Sequence, residues 1–222
     1  MKIATWNVNS GAIAERVAEL RSEFDADIVA LQESAEPTDE SSTCIWNGDY
    51  KRKGVSLSSR FPHGRAAVDG ESSPFIASRV MDSDVGGFNV LALWAKPSPS
   101  YFADLVRTLD LNRQFIREAP TFVLGDFNLS LRNQSTGKQF YVLNAKLNHE
   151  FDVHSAYHEF TGERFGMETM TTLYYQWGSS GCFHCDFIYI PSEWISRVRS
   201  VTIPGYRSFA SSDHRPVFCE VV

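Results

Sequence analysis

Apolar residues in this chain follow two periods, which together predict strands and helices in alternation. Over Lys2–Val8 the side chains alternate between two faces, as expected of a strand whose successive residues point in opposite directions. Over Ala14–Phe24 apolar residues recur at the three- and four-residue spacing of an amphipathic helix. The short apolar run Asp27–Leu31 predicts a second strand, and this order of strand, helix and strand favours an α/β packing.

The rest of the chain continues these patterns. Two further helices are predicted, over Tyr101–Arg117 and Gly137–Glu150, and the polar stretch Ser34–Asp49 is predicted to be a loop. No linker or low-complexity tract divides the chain, so we expect a single domain over residues 1–222. The remaining predicted strands are Val55–Ser59, Pro74–Met81, Phe88–Ala95, Thr121–Leu124, Thr169–Tyr174, Phe183–Ile190, Ile195–Thr202 and Pro216–Val222.

The charge balance limits how this chain can meet nucleic acid. The formal net charge is −6. A protein that simply coats nucleic acid is expected to be basic, because neutralising phosphates drives that binding. Any contact of this chain with nucleic acid must therefore be local.

The beginning of the chain and its cysteines predict a location. The first residues are too polar for the apolar core of a signal peptide, and no apolar run approaches the ~20 residues of a membrane helix. Together with four scattered cysteines, this predicts no membrane contact and a reducing, cytoplasmic environment. Cys182 and Cys185 have the C-x-x-C spacing of half a zinc site, but no second Cys/His pair lies at the usual spacing, which favours two small residues in a buried strand.

Polar residues able to bind a metal or a phosphate lie at or beside the ends of several apolar strands. Strand ends are where a rigid sheet places functional side chains. Each residue alone has an ordinary explanation: Asp126 would cap a turn, and Glu33 would be a solvated loop residue. Their joint occurrence favours a functional site, made of Asn7, Glu33, Asp126, Asn128, Asp186, Asp213 and His214.

Five short motifs containing these residues resemble, in order, those of the endonuclease/exonuclease/phosphatase superfamily, which includes exonuclease III-like AP endonucleases and DNase I-like nucleases. Each motif is weak alone, but five in order form a strong signal. The resemblance implies an α/β (α+β) fold, a four-layer sandwich of two mixed β-sheets flanked by helices. The motifs are Thr5-Trp6-Asn7-Val8-Asn9, Leu31-Gln32-Glu33, Gly125-Asp126-Phe127-Asn128, His184-Cys185-Asp186-Phe187-Ile188 and Ser212-Asp213-His214-Arg215-Pro216.

The resemblance also implies a metal-dependent reaction. Glu33 would be the main ligand of Mg²⁺ or Mn²⁺, with Asn7 and Asp213 nearby, since these hard ions prefer oxygen ligands. Asp126 would orient or deprotonate a water that attacks phosphorus in line with the leaving oxygen.

Further residues would handle the phosphate. Asn128 would bind a non-bridging phosphate oxygen without adding charge. His214 would contact the scissile phosphate, and Asp186 would hold its imidazole and favour the charged form.

Two positions depart from the family pattern. Trp94 occupies a slot where many relatives have His or Tyr; its indole donates a hydrogen bond but cannot exchange a proton, and Lys96 would supply the missing positive charge. His184 stands where many relatives have Arg, and we interpret it as a strand residue with a satisfied imidazole. Trp94 and Lys96 put the substrate in question more than the reaction.

The substrate remains open between two classes. A locally basic stretch and the aromatic loop of Trp177, which would stack on an unpaired base, favour a nuclease or phosphodiesterase acting on DNA or RNA. The acidic balance and Trp94 favour a small phosphorylated molecule, and the basic stretch would equally be a solvated loop. A non-catalytic binding protein is disfavoured by the complete set of residues, and we expect a monomer. The basic stretch comprises Lys51, Arg52, Lys53, Arg60, His63 and Arg65.

Overall fold

Two six-stranded β-sheets and a two-stranded ribbon contain the strands of the computed structural model, which describes residues 1–37, 44–48, 53–67, 74–82, 84–178 and 181–222. The helices are α1 (Ile13–Phe24), α2 (Tyr101–Leu111), α3 (Arg113–Arg117), α4 (Gly137–Phe151) and α5 (Ala156–Thr161). In chain order the strands are β1 (Lys2–Asn7), β2 (Ile28–Ala35), β3 (Cys44–Gly48), β4 (Lys53–Ser59), β5 (His63–Arg65), β6 (Phe75–Asp82), β7 (Gly86–Trp94), β8 (Thr121–Asp126), β9 (Val153–Ser155), β10 (Leu173–Tyr174), β11 (Cys182–Phe183), β12 (Asp186–Pro191), β13 (Val198–Thr202) and β14 (Val217–Val221).

Both large sheets are mixed. The first has the order β13-β14-β1-β2-β4-β3, and the second has the order β5-β6-β7-β8-β12-β9. In each sheet one central pair is parallel, β1 with β2 and β7 with β8, and the other pairs are antiparallel. This arrangement confirms the mixed sheets that the resemblance implies.

Apolar packing holds the layers together. Buried side chains from both sheets, such as Leu57 and Phe122, meet in a core between them. Helix α1 covers the outer face of the first sheet through Val17 and Leu20, and α2, α3 and α4 cover the outer face of the second. Each large apolar side chain buried in this way contributes about 1.5–3 kcal/mol. The order of the layers, which is helix, sheet, sheet and helix, confirms the four-layer sandwich.

The helix predicted over Tyr101–Arg117 is two helices, because Asn112 leaves the helical conformation with φ −95° and ψ 12°. The Asn112 side-chain amide donates to the Thr108 carbonyl at 2.8 Å, a local bond that competes with helix continuation. No helix within the described residues is long and apolar enough to cross a membrane.

The stretch Ser34–Asp49 was wrongly predicted to be entirely loop. Strand β2 continues to Ala35, and Cys44–Gly48 forms the edge strand β3. Every residue of β3 is half-buried, so its polar composition reflects a partly solvated edge rather than a loop. Residues 38–43 and 49 of this stretch lie outside the described residues.

Three predicted strands are shorter than the apolar pattern indicates. The strand of Thr169–Tyr174 begins only at Leu173, and the strand of Ile195–Thr202 begins only at Val198, after the 3₁₀ helix Ser192–Arg197. Phe183–Ile190 is interrupted at His184 and Cys185. Strands β5 and β9 and helix α5 were not predicted, because elements of three to six residues are too short to show a period.

Candidate active site

The predicted site residues converge at one edge of the two sheets. The parallel strands β1 and β2 bring Asn7 and Glu33 to this edge, and β8 ends there with Asp126. Strand β12 runs antiparallel to β8 and begins with Asp186, which pairs in register with Asp126. Strand β14 runs antiparallel to β1, so His214, just before it, reaches the same edge. Strand direction therefore explains why ends of some strands and starts of others meet.

A β-bulge in β2 directs Glu33 into the site. The register of β2 against β4 shifts between Leu31 and Ser34, and Glu33 between them has φ 53°. A positive φ is uncommon for a residue other than glycine and is concentrated at functional sites. The Asn7 side-chain amide Nδ2 donates to Glu33 Oε1 at 3.1 Å and to Asp126 Oδ2 at 2.9 Å. Asn7 thus connects the carboxylates of the two sheets.

The turn after β8 holds Asp126 rigidly. Asp126 Oδ1 accepts from the Asn128 backbone N–H at 2.8 Å, and its Oδ2 accepts from Asn128 Nδ2 at 2.9 Å. Gly125 precedes it with φ 139°, and a Cβ there would lie 2.0 Å from the Leu93 carbonyl oxygen. Only glycine lets β8 approach β7 so closely.

His214 and Asp186 form a buried pair. His214 Nδ1 lies 2.9 Å and 3.1 Å from the two Asp186 carboxylate oxygens. Ser212 Oγ accepts from the His214 backbone N–H at 3.1 Å and donates to the Asn7 carbonyl at 2.7 Å. The His214 motif is therefore attached to the end of β1 as well as to β12.

Burial and charge shift the pKa values of two of these groups in ways that matter for chemistry. Burial and the neighbouring Asp186 charge raise the pKa of Asp126 to about 7, although His214, Asn7 and Asn128 oppose the rise. Burial alone would lower the pKa of His214, but the charges of Asp186 and Asp126 outweigh it and raise this pKa to about 10. Near neutral pH the imidazole is charged, and Asp126 is close to its titration point.

Four side chains of the site lie close enough together to hold one cation. Ligand atoms of Asp126, Cys185, Asp186 and His214 lie within 4.8 Å of one another. Burial and the charges of Asp186 and Asp126 raise the Cys185 pKa well above its ordinary value, so this thiol stays neutral and the charged donors are oxygens. Glu33 Oε2 already faces a positive charge, the Lys53 ammonium at 2.7 Å.

The predicted metal ligands lie beside this cluster. Burial raises the pKa of Glu33, but hydrogen bonds from Lys53 and Asn7 outweigh it and lower this pKa, so the carboxylate is ionised. Asp213 is half-buried next to His214, and its carbonyl accepts from the Tyr174 N–H at 2.8 Å. A metal-ligand role for Glu33, Asn7 and Asp213 stays a prediction.

Trp94, one of the two departures from the family pattern, lies beside Lys96. Trp94 pairs in register with Asp126 but is 7% exposed and packs in the core between the sheets. Lys96 Nζ lies 2.9 Å from the Trp94 ring centroid, and its backbone N–H donates to Asp104 Oδ2. The substrate roles of Trp94 and Lys96 stay predictions.

An exposed aromatic surface adjoins the His214 motif. We define it by four residues, of which Trp177 is 45% exposed. The Tyr206 hydroxyl donates to the Trp177 carbonyl at 2.6 Å, and the Tyr174 and Tyr206 ring centroids are 4.6 Å apart. Tyr174 itself is half-buried. The aromatic surface comprises Tyr174, Tyr175, Trp177 and Tyr206.

The basic stretch does not act as one unit. Lys53 contacts Glu33, whereas Arg60 forms ion pairs with Asp25 at 2.7 Å and Asp27 at 3.2 Å. Lys51 and Arg52 lie outside the described residues. Of the described residues of this basic stretch, only Lys53 is shown in contact with a predicted site residue.

The prediction of His184 as a strand residue with a satisfied imidazole is wrong in part, because His184 lies between β11 and β12. His184 Nδ1 bonds the Met170 carbonyl at 3.1 Å, but its buried Nε2 has no partner among the described residues. Burial and His158 lower the His184 pKa to about 4, so the ring is neutral. Cys182 is half-buried, Cys185 is buried, and neither is in a disulfide bond. Their interpretation as two small residues in a buried strand, without zinc, stays a prediction.

Thr172 is a positioning residue that no pattern in the sequence indicated. It is buried, and its hydroxyl accepts from the backbone N–H groups of Cys185 at 3.0 Å and Asp186 at 3.1 Å. Its carbonyl accepts from the Arg215 N–H at 2.6 Å. Thr172 therefore connects the Asp186 and His214 segments, which are distant in sequence.

Comparison with protein families places the chain in a known class. The family model described as the endonuclease/exonuclease/phosphatase family matches residues 4–214. The chain belongs to this family, whose members are phosphoester hydrolases. No curated protein matches the chain in sequence.

Several solved structures share the fold. The 3′ phosphatase NExo from Neisseria, bound to a product DNA hairpin, has a TM-score of 0.74 and 20% identity and aligns over 100% of this chain and 99% of its own. An AP endonuclease from Archaeoglobus fulgidus has a TM-score of 0.73 and 17% identity with the same coverage. The 3′–5′ exonuclease NExo from Neisseria meningitidis has a TM-score of 0.72 and 20% identity, again with this coverage.

Proposed function

We propose that this protein is a divalent-metal-dependent phosphoester hydrolase that acts on nucleic acid, as a nuclease or phosphodiesterase. The observation that carries the proposal is that a carboxyl group that titrates near neutral pH and a positively charged imidazole lie together at one buried edge. Asp126, with a pKa near 7, lies beside His214, which stays positively charged to about pH 10. Pairs of groups with pKa values driven apart are typical of acid–base sites.

In this proposal Asp126 orients the attacking water and takes its proton. A base with a pKa near the working pH is effective, because it is largely unprotonated and still accepts a proton readily. Three hydrogen bonds from Asn7 and Asn128 keep the carboxylate from rotating. Fixed orientation lowers the entropic part of the barrier to water attack.

His214 and Asn128 would hold the phosphate. Asp186 engages Nδ1 of His214, so Nε2 is the ring nitrogen available to a phosphate oxygen. A charged imidazole donates a stronger hydrogen bond to an anion than a neutral one does. Asn128 Nδ2 donates to Asp126 and, at 3.3 Å, to the Ala95 carbonyl. It would exchange the longer of these bonds for one to the phosphate and so add a neutral donor.

Mg²⁺ or Mn²⁺ would be held by Glu33, with Asn7 and Asp213 nearby. Bound there, the cation supplies neutralisation of charge on a phosphate oxygen and on the leaving group. The supporting observation is that Glu33 is ionised, partly exposed and in contact with a positive charge.

The aromatic surface and the fold relatives support nucleic acid as the substrate. Exposed rings such as Trp177 offer faces on which a base can stack, worth about 1–3 kcal/mol per base. One NExo structure holds a product DNA hairpin, and another fold relative is an AP endonuclease. We further propose that the chain works as a single domain and as a monomer.

A second candidate is a hydrolase of a small phosphorylated molecule. The net charge is −6, and the described cations Lys53 and Arg60 are engaged in ion pairs. These observations argue against an extended phosphate-binding surface, but they do not affect the chemistry proposed for Asp126 and His214.

A substrate panel with Mg²⁺ or Mn²⁺ tests both candidates. It contains plasmid DNA, an abasic-site duplex, single-stranded RNA, bis-p-nitrophenyl phosphate and phosphomonoesters, each also with EDTA. Glu33→Gln is the inactive variant expected, and Glu36→Gln, at an exposed residue of the same segment, is the matched control. Nucleic-acid cleavage lost in Glu33→Gln and in EDTA supports the proposal. Cleavage of small esters alone selects the second candidate, and full activity in EDTA refutes both.

A further inference from the structure

Lys53 makes the closest charged contact to the proposed metal ligand. Lys53 is the first residue of β4, and its Nζ lies 2.7 Å from Glu33 Oε2. The other Glu33 oxygen, Oε1, accepts from Asn7. Lys53 is 34% and Glu33 22% exposed at the side chain, so the ion pair lies at the solvent-facing mouth of the site.

The ammonium and a divalent cation cannot both hold this oxygen at low cost. A bound divalent cation lies about 2.0–2.6 Å from a carboxylate oxygen, which would place it next to the Lys53 ammonium. Two positive charges at about 4 Å repel each other even in water, and more strongly near a protein surface. Binding of the cation to Glu33 Oε2 therefore requires that Lys53 move away.

We propose that Lys53 is a cationic latch on Glu33, which a divalent cation must displace, so that Lys53 sets the metal affinity of the site. This inference rests on the metal-ligand role of Glu33 in the proposed function. Before the cation binds, Lys53 compensates the charge of Glu33 and holds the carboxylate toward Asn7. After it binds, the Lys53 amine is released to solvent.

Amine reactivity measures the release directly. The rate of Lys53 acylation is determined by peptide mapping in the full-length protein, with and without Mg²⁺. We expect Mg²⁺ to raise the rate at Lys53 and to leave Lys2 unchanged. Lys2 is the matched control in the same sample, since it is 39% exposed, pairs with Asp25 at 3.6 Å and lies at the opposite end of β1 from Asn7. An unchanged or lowered rate at Lys53 overturns the proposal.

Mn²⁺ binding, followed by electron paramagnetic resonance, measures the affinity. Lys53→Met is expected to bind Mn²⁺ more tightly by about threefold to fivefold, the range of one partly exposed ion pair. Lys53→Arg, which keeps the charge, is expected to bind as the unchanged protein does. Equal affinity in Lys53→Met overturns the latch. Mn²⁺ binding that ignores Lys53 refutes only this inference, whereas absence of Mn²⁺ binding also refutes the metal dependence of the proposed function.

Discussion

The replacement Asp186→Asn tests whether the charge on His214 is set by its neighbour. The Asp186 carboxylate is the first of the groups that raise the His214 pKa from 6.5 to about 10, against the effect of burial. This increase of the pKa by about 3.5 favours the charged imidazolium over the neutral imidazole by about 5 kcal/mol, since one pKa unit corresponds to about 1.4 kcal/mol. Without Asp186 the burial remains and the largest opposing charge is lost, so the His214 pKa falls well below about 10.

The same charge also acts on Asp126. Asp186 contributes to raising the Asp126 pKa from 3.8 to about 7, so its loss makes Asp126 easier to ionise. In the proposed mechanism activity needs ionised Asp126 and charged His214, which gives a bell-shaped rate profile between about pH 7 and pH 10. Asp186→Asn is expected to move both limbs of this profile to lower pH.

Stability should respond with a defined sign. A histidine whose folded pKa is raised stabilises the fold fully below pH 6.5, and this contribution is lost as the pH rises through about 10. The raised pKa of Asp126 acts in the opposite sense, since its cost appears between pH 3.8 and about pH 7. The two effects largely offset near pH 7, so Asp186→Asn should change the rate profile there more than the melting temperature.

The assay combines kcat/KM between pH 5 and pH 11 with an NMR titration of His214. The matched control is Asp152→Asn, because Asp152 lies 3.8 Å from the His154 imidazole but is 77% exposed. This control should leave both limbs in place. A His214 pKa that stays near 10 in Asp186→Asn would refute the electrostatic reasoning.

Three further predictions follow from particular contacts. Gly125→Ala should lower the melting temperature by about 6–12 °C, since a Cβ 2.0 Å from the Leu93 carbonyl and a positive φ together cost about 3 kcal/mol. The control Gly64→Ala, where a Cβ meets nothing within 4 Å, should keep the melting temperature of the unchanged protein. Equal melting temperatures for the two variants would contradict the steric argument. Thr172→Val should lower kcat and shift the pH profile, because two backbone N–H groups lose their acceptor. Thr172→Ser, which keeps the hydroxyl, should restore both kcat and the pH profile. If Thr172→Ser behaves like Thr172→Val, the hydroxyl is excluded as the cause. Trp177→Ala should raise KM about tenfold or more for nucleic acid but not for bis-p-nitrophenyl phosphate. The control is Tyr141→Ala, at another exposed aromatic residue. If Trp177→Ala and the unchanged protein have equal KM values for nucleic acid, Trp177 does not contact the substrate.

Local pattern was sufficient for much of the scaffold. Strands with buried faces and the amphipathic helix α1 follow from periodicity, because burial of a face or stripe imposes a period of two or 3.6 residues. Periodicity does not reveal elements that lack such a buried face. The half-buried edge strand Cys44–Gly48, for example, is predicted to be a loop. The break at Asn112 depends on one side-chain hydrogen bond, which no period encodes.

The ordered motifs predicted the class of protein, which the family match confirms, and they selected side chains that the fold brings together. Asn7, Glu33, Asp126, Asp186 and His214 were chosen from the sequence, and the structure brings them to one edge. They converge because each residue adjoins an apolar strand, and the strands of both sheets end or begin at that edge. Their roles stay predictions.

Only the tertiary structure decided what these groups do to one another. The pKa values of Asp126 and His214 depend on burial and on charges more than twenty residues away. Lys53 belongs to a basic stretch in the sequence, yet in the fold it contacts Glu33, and Thr172 gained a role only by lying between two distant segments. Sequence specifies which side chains are available, whereas distance and exclusion of water, which set electrostatic energies, exist only after the chain has packed.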